Sequence, residues 1–411
     1  MIIRRKCTSI LEEGLGGRVL RSGDPACREE FARAARTVPM GAFTRRQFLA
    51  AAGIAGVGAA LGLGGLSGCS AAGQMMTGER TVVDDVGRNV TIPSVDRLKR
   101  VYFTSPLAEI FCFTVEPGLM GGTCSSYTKD QLEFLPENMS SLIQMGSLSN
   151  GGTIDREALI YNNIQVVFSI SGTDLTDVNV SDAEGLQDQT GIPVVLIDGS
   201  FNIIADTYRF LGECLGCEKR AEELAGYLED VYNRVSSAVA QVPESERVSY
   251  YYAEGPQGLQ TEPDASQHSL AFQVAGGRNV VEGVGVTAGG GMSNVSLENV
   301  VKWNPETIIT WDFNIRGGAE KIIRTSSDWE SIKAVRDGRV YTMPNLPFAW
   351  CDRPPGVNRF IGIQWLANLF YPTYYDVDMV EVTRDFYKRC YWRDITEEEA
   401  RRVLGNQWAS S

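Results

Sequence analysis

The chain has 411 residues, with 51 Asp+Glu against 38 Lys+Arg and a formal net charge of −13. That acidic excess argues against nucleic acid or an anionic lipid surface as partner, since both would be repelled. The length allows a large buried core and suggests two domains.

In chain order, the first informative stretch is Thr44-Arg45-Arg46-Gln47-Phe48-Leu49, followed by an uncharged run of 21 residues from Phe48 to Gly68 and then Cys69. The run is long enough to cross a bilayer of roughly 30 Å. It is built mostly of Gly and Ala, however, and each interior Gly costs a helix about 1 kcal/mol relative to Ala. A buried core helix is the other alternative to an address label. A basic start, a modest apolar stretch and small residues near a cut are the plan of a signal peptide. The Arg45-Arg46 segment resembles the twin-arginine export signal, with Ala50 where Lys often stands. Leu66-Ser67-Gly68-Cys69 resembles a lipobox, so Cys69 is expected to be the lipid attachment site and first mature residue. Residues 1–68 then form a leader, translation starting at Met40. The mature protein is expected on the outer face of the cytoplasmic membrane, with 69–80 as a small, polar tether. Without 1–68 the chain keeps 28 basic and 46 acidic residues, a net of −18.

Thr81 to Pro93 alternates as two strand-like runs around Gly87, which predicts a hairpin. Strand-like and helical runs then alternate through RVYFTS, LAEIFCFTV, DREALIYNN, IQVVFSIS and IPVVLIDG, with a helix from about Ile203. Alternation of this kind predicts a parallel sheet flanked by helices, over an N-terminal lobe at 81–217. From Glu218 to Val242, Ala221, Leu224, Leu228, Val231, Tyr232, Val235 and Val239 recur at spacings of three and four, the signature of one long amphipathic helix. Beyond it the alternation restarts in RVSYYYAE, HSLAFQVAGG, LENVVKWN, PETIITWD, DGRVYTMP and IGIQWLANLFYP, a C-terminal lobe at 243–405. The expected fold class is therefore α/β, two lobes each with a mainly parallel sheet, joined by a single long helix. Cys112, Cys124, Cys214, Cys217, Cys351 and Cys390 remain after the leader and lipid site are removed. Their pairing is not legible. Cys214-Leu-Gly-Cys217 lies in a helical pattern, where ordinary packing or a local disulfide is expected rather than zinc or redox chemistry.

The two halves echo each other. Glu157-Ala-Leu-Ile-Tyr-Asn-Asn163 and Glu298-Asn-Val-Val-Lys-Trp-Asn304 each place an Asn six residues after a Glu, before a β-rich run. Asp85-Val-Gly-Arg-Asn-Val-Thr-Ile-Pro93, Arg100-Val-Tyr, Gly276-Gly-Arg-Asn-Val280, Ser296-Leu-Glu-Asn, Asn304-Pro305, Ile332 to Tyr341, Trp365-Leu-Ala and Tyr371-Pro372 together resemble, in order, the solute-binding lipoproteins of bacterial ABC importers for iron-siderophores, heme and cobalamin. The resemblance covers residues 81 to about 372. It implies two α/β lobes on a long helix, ligand in the cleft between them, and one carboxylate per lobe, Glu157 and Glu298, docking on arginines of the two permease subunits, with the permease's ATPase as a further partner. A solvated Glu at a helix start is the alternative for each.

Loops after the strands' C-terminal ends are where such sheets bind ligands. They offer Ser105, Tyr127, Ser171, Tyr252, Glu254, Trp311, Arg316, Trp350 and Arg353. Aromatic rings supply flat walls and Arg a planar fork for anionic oxygens. Pro354 and Pro355 stiffen the loop that carries Arg353, although Arg353 could instead pair with Asp352 or another carboxylate of its lobe. His268, the sole histidine, is expected at a helix N-terminus, touching ligand or making an ordinary contact. Tyr127, Ser171, Tyr252, His268, Trp311, Trp350 and Arg353 are thus the candidate ligand-binding residues. No catalytic residue, protein-bound metal or cofactor is expected, and the protein is expected to be a monomer. A ferric siderophore leads as ligand, ahead of cobalamin, heme and oxyanions such as molybdate. A lipid-anchored hydrolase is the alternative of another class, weakened by the absence of G-x-S-x-G and HExxH.

Overall fold

The computed structural model describes residues 78–287, 291–312 and 317–405. The leader with Met40, Arg45 and Arg46, the lipid site Cys69, most of the tether and Arg316 lie outside the described residues. No described helix is long and apolar enough to cross a membrane.

The hairpin forms as expected. Strands β1 (Glu79–Val83) and β2 (Asn89–Pro93) run antiparallel with Thr81 opposite Thr91, and Gly87 takes φ 87° in the turn, where a side chain would be strained. Asp84 accepts the Arg88 backbone N–H at 2.8 Å and pairs with its guanidinium, which also donates to the Val194 carbonyl at 2.9 Å. These contacts stitch the hairpin to the first sheet.

That sheet is parallel, in the order β3 (Val101–Phe103), β4 (Val166–Ser171), β5 (Val194–Asp198). Helices α1 (Pro106–Val115), α2 (Lys129–Glu133), α3 (Arg156–Tyr161), α4 (Asp177–Thr190) and α5 (Ile204–Leu215) complete the lobe. Val166, Val167 and Phe168 are fully buried, as in a parallel strand covered on both faces.

Helix α6 (Glu218–Val239) spans 22 residues, about 33 Å at 1.5 Å per residue, and joins the lobes. Its buried stripe is Ala221, Leu224, Ala225, Leu228, Val231 and Val235, the spacing that the sequence predicts. It stops three residues short of Val242 because the chain tightens there. Gln241 and Val242 N–H groups bond back three residues, to Ala238 and Val239, rather than four.

The second lobe contains β6 (Ser249–Ala253), β7 (Gln260–Thr261), α7 (Leu270–Val274), β8 (Arg278–Asn279), β9 (Ser293–Asn294), α8 (Leu297–Trp303), β10 (Thr307–Thr310), α9 (Glu320–Thr325), α10 (Lys333–Arg336) and β11 (Val340–Thr342). Its parallel sheet has the order β11-β10-β6-β8, and β7 pairs antiparallel with β9. Helix α11 (Arg359–Phe370) is buried on nearly every side, so it lacks an amphipathic pattern. A Cβ on its Gly362 would stand 2.3 Å from the Trp350 carbonyl oxygen. Only glycine lets the 350–355 loop lie against this helix.

Two further helices, α12 (Met379–Cys390) and α13 (Glu397–Leu404), return to the first lobe. Trp392 Nε1 donates to the Phe113 carbonyl at 2.6 Å, Arg402 pairs with Glu133 at 2.7 Å, and the Tyr387 ring meets Phe134 edge-on at 5.6 Å. Cys112, Cys124, Cys351 and Cys390 are buried thiols, and no disulfide joins Cys214 to Cys217.

The sequence echo has a backbone counterpart. Glu157 and Glu298 each occupy the second position of a short helix, capped by Asp155 and Ser296. Asn163 (φ 54°) and Asn304 (φ 47°) both take the left-handed conformation that Asn tolerates better than most residues. The chain then enters an interior strand of its sheet, β4 in one lobe and β10 in the other.

Candidate functional site

A cleft of about 690 Å³ opens between the lobes. The first lobe supplies its wall from the ends of β3 and β4 and from the segment before α2. Ser105 caps α1 by accepting the Ala108 N–H, and Thr104 donates to Ser169 at 3.1 Å across the two strand ends. Ser171 ends β4 and approaches Thr173 at 3.4 Å. Six serines, two threonines and Tyr127 put nine hydroxyl groups on the lining, against one arginine.

The Tyr127 ring meets Phe348 of the opposite lobe edge-on at 6.1 Å, and Gln131 Nε2 donates to the Pro347 carbonyl at 3.0 Å, so the lobes touch along this side. Beneath the wall, Glu109 in α1 accepts the Cys124 N–H at 3.2 Å and faces the Tyr127 hydroxyl. Glu109 Oε1 and the Tyr127 hydroxyl oxygen are buried without a well-formed hydrogen bond. Burial pushes the Glu109 carboxyl up to about 8, so it is largely protonated at neutral pH.

The second lobe contributes a buried ionic cluster. Arg353 Nε donates to Glu254 at 3.0 Å and lies 3.2 Å from Asp352, while Nη2 reaches Glu262 at 2.9 Å. Trp311 covers the guanidinium at 5.1 Å. His268 Nδ1 meets Asp352 Oδ1, and the wholly buried Arg359 stands 3.5 Å from Asp352 and donates to the Gln267 carbonyl at 2.6 Å. Burial and the neighbouring Asp352 and Glu262 raise the Glu254 carboxyl well above its ordinary range, against the pull of Arg353. Burial also works to raise Asp352, but Arg353 and His268 outweigh it and hold it low. For Arg353 burial opposes the charge, and Asp352 and Glu254 more than restore it.

Of the seven candidate ligand contacts, Tyr127, Ser171, His268, Trp311 and Arg353 line this cleft. Tyr252 and Trp350 are absent from its lining, a correction to the expectation for both. Tyr252 lies inside β6, a strand buried on both faces, and its ring meets Phe272 at 4.9 Å, tilted by 38°. Trp350 is fully buried where the loop turns onto α11. Of the other loop residues, Ser105 lines the cleft, whereas Glu254 sits behind Arg353. Sequence reasoning missed Glu109, Gln131, Glu262 and Phe348. A single acid inside the apolar LAEIFCFTV signals Glu109, and the others carry no local signal. Glu157 and Glu298 are exposed and are not among the residues that line the cleft.

Residues 143–346 match the family model described as periplasmic binding protein. The chain belongs to the periplasmic binding protein family. A solved ABC transporter solute binding protein from Sulfurospirillum deleyianum is similar to this binding protein at 27% identity and TM-score 0.71, over 79% of this chain and 99% of that one. The molybdate-bound MolA of Haemophilus influenzae has the same fold, with TM-score 0.61 at 21% identity over 77% and 99% of the two chains. In sequence, the molybdate-binding protein MolA is 33% identical over 113 residues, 27% of this chain. The Bacillus subtilis substrate-binding lipoprotein YvrC is 25% identical over 186 residues, 44% of this chain. Those matches span 31% and 55% of the two curated relatives. Family and structural relatives bind solutes and do not transform them, which removes the hydrolase alternative.

Proposed function

We propose that this binding protein is the extracytoplasmic solute-binding component of an ABC importer, and that it captures a ferric siderophore or similar iron chelate. The carrying observation is the interlobe cleft of about 690 Å³ with nine lining hydroxyls and the rings of Tyr127, Trp311 and Phe348. Its size falls within the roughly 300–1,000 Å³ of sites for drug-sized ligands. Hydroxyls can serve the many oxygens of a chelate, while ring faces take its organic frame. In this reading lipid on Cys69 holds the protein at the membrane after export on Arg45 and Arg46. Glu157 and Glu298, alike in helix position and exposure, dock on cationic groups of the permease.

A second reading, an oxyanion such as molybdate, is favoured by the MolA relative. The cleft is much roomier than a tetrahedral oxyanion requires, and Arg353 is already held by carboxylates. Titrating the purified protein with ferric chelates, cobalamin, hemin and molybdate separates the readings. Saturable binding of a ferric chelate with no response to molybdate supports the first, and the reverse selects the second.

A further inference from the structure

We infer that the cleft selects its ligand by charge, taking a neutral or cationic ferric chelate, such as a hydroxamate complex, and rejecting polyanionic catecholate complexes. This rests on the reading of the cleft as a ferric-chelate site.

Among the described residues, the cleft lining carries Asp182, Arg353 and His268 as its only Asp, Glu, Lys, Arg or His side chains. Arg353 is the lone permanent cation, and its Nε and Nη2 are already directed at Glu254, Glu262 and Asp352 within 3.2 Å. Those three carboxylates are wholly buried behind the wall, as is Arg359, which shares Asp352. With Asp182 on the lining, four carboxylates, Glu254, Glu262, Asp352 and Asp182, stand against two guanidiniums, Arg353 and Arg359, and the ring of His268, so carboxylates outnumber the basic groups beside them. On the opposite wall the acid beneath Tyr127 is neutral at pH 7, and no described cation lines that side.

A triply anionic chelate entering the cleft would surrender its hydration and meet no uncompensated positive charge in exchange. Burying such charge without a partner is costly. The charge that Arg353 would offer such an anion already compensates the buried carboxylates of Glu254, Glu262 and Asp352. A neutral or singly cationic complex does not meet that cost, and its carbonyl and N–O oxygens can accept from the serine and threonine hydroxyls.

The test compares two probes on the purified protein by tryptophan fluorescence, the cationic ferric complex of desferrioxamine and the trianionic ferric complex of enterobactin. The expected result is at least about tenfold tighter binding of the cation, weakening as salt is raised. Asp182 is exposed, so Asp182→Asn should leave folding intact and narrow the gap by weakening the cation. Glu262→Gln, checked by thermal melting, should narrow it further by strengthening the anion. Equal or tighter binding of the trianion overturns the charge rule and leaves the iron-chelate reading standing. No response to either complex overturns that reading and the charge rule with it.

Discussion

Arg353 has 13% of its side chain exposed and faces Glu254, Glu262 and Asp352, whose side chains are fully buried. Its first duty is therefore to compensate buried charge. Arg353→Ala should lower the stability of the ligand-free protein by about 3–5 kcal/mol, the usual cost of breaking a buried pair, measured by chemical denaturation. Unchanged stability with lost ligand affinity would contradict this. Glu109 supports a prediction of opposite character. Its carboxyl is pushed from 4.5 up to about 8 in the folded protein, so the native state holds a proton that the unfolded chain releases. Stability conferred by that group is full below pH 4.5 and falls as pH rises toward 8, by up to ~1.4 kcal/mol per pH unit. Glu109→Gln keeps an acceptor for the Cys124 N–H and should flatten denaturation midpoints measured across that window. A wild-type slope retained in the variant would assign the proton elsewhere. At this scale the sequence is an uneven guide. Strand-end position finds Ser171 and Trp311, but it cannot tell that Tyr252 turns inward, because both faces of β6 are covered. Nor can it reveal Glu262, which meets Arg353 across 91 residues of chain.

At the scale of elements, the paired helices α3 and α8 carry the docking proposal. Glu157→Lys with Glu298→Lys should abolish uptake in cells while affinity for ligand in solution stays within about twofold, because neither helix reaches the cleft lining. Lost affinity would place these residues in the fold or site, and normal uptake would leave them as ordinary helix-start charges. The close approach of α11 to the 350–355 loop gives a second test. Gly362→Ala puts a Cβ where the Trp350 carbonyl stands, and it should destabilise the protein by about 1–3 kcal/mol or more and weaken ligand binding through the displaced Arg353. A variant as stable and as tight as wild type would show that the loop yields freely. The alternating strands and the helix at 218–242 are legible because parallel strands read as unbroken apolar runs and an exposed-face helix keeps its stripe. The short β7, β8 and β9, two or so residues each, leave too little pattern to read. Helix α12 does have its stripe, Met379, Val380, Thr383, Phe386, Tyr387 and Cys390, yet nothing local says that it returns to the first lobe.

For the whole molecule, two-lobed architecture follows from the restart of alternation after one long helix, whereas the cleft depends on contacts between segments more than a hundred residues apart. Gln131 bonding to Pro347 and Tyr127 meeting Phe348 are such contacts. The leader makes a separate prediction. Cys69→Ala should move the protein from the membrane fraction to the soluble extracytoplasmic fraction, and unchanged membrane recovery would argue against lipid on that residue. The central claim, an importer's capture of an iron chelate in the interlobe cleft, is tested most directly by titrating the purified protein with ferric chelates while following tryptophan fluorescence and ligand integrity. The account predicts saturable one-to-one quenching, with Trp311 in the cleft wall as a reporter, and recovery of the chelate unaltered. Saturation by molybdate with no response to any ferric chelate would contradict it.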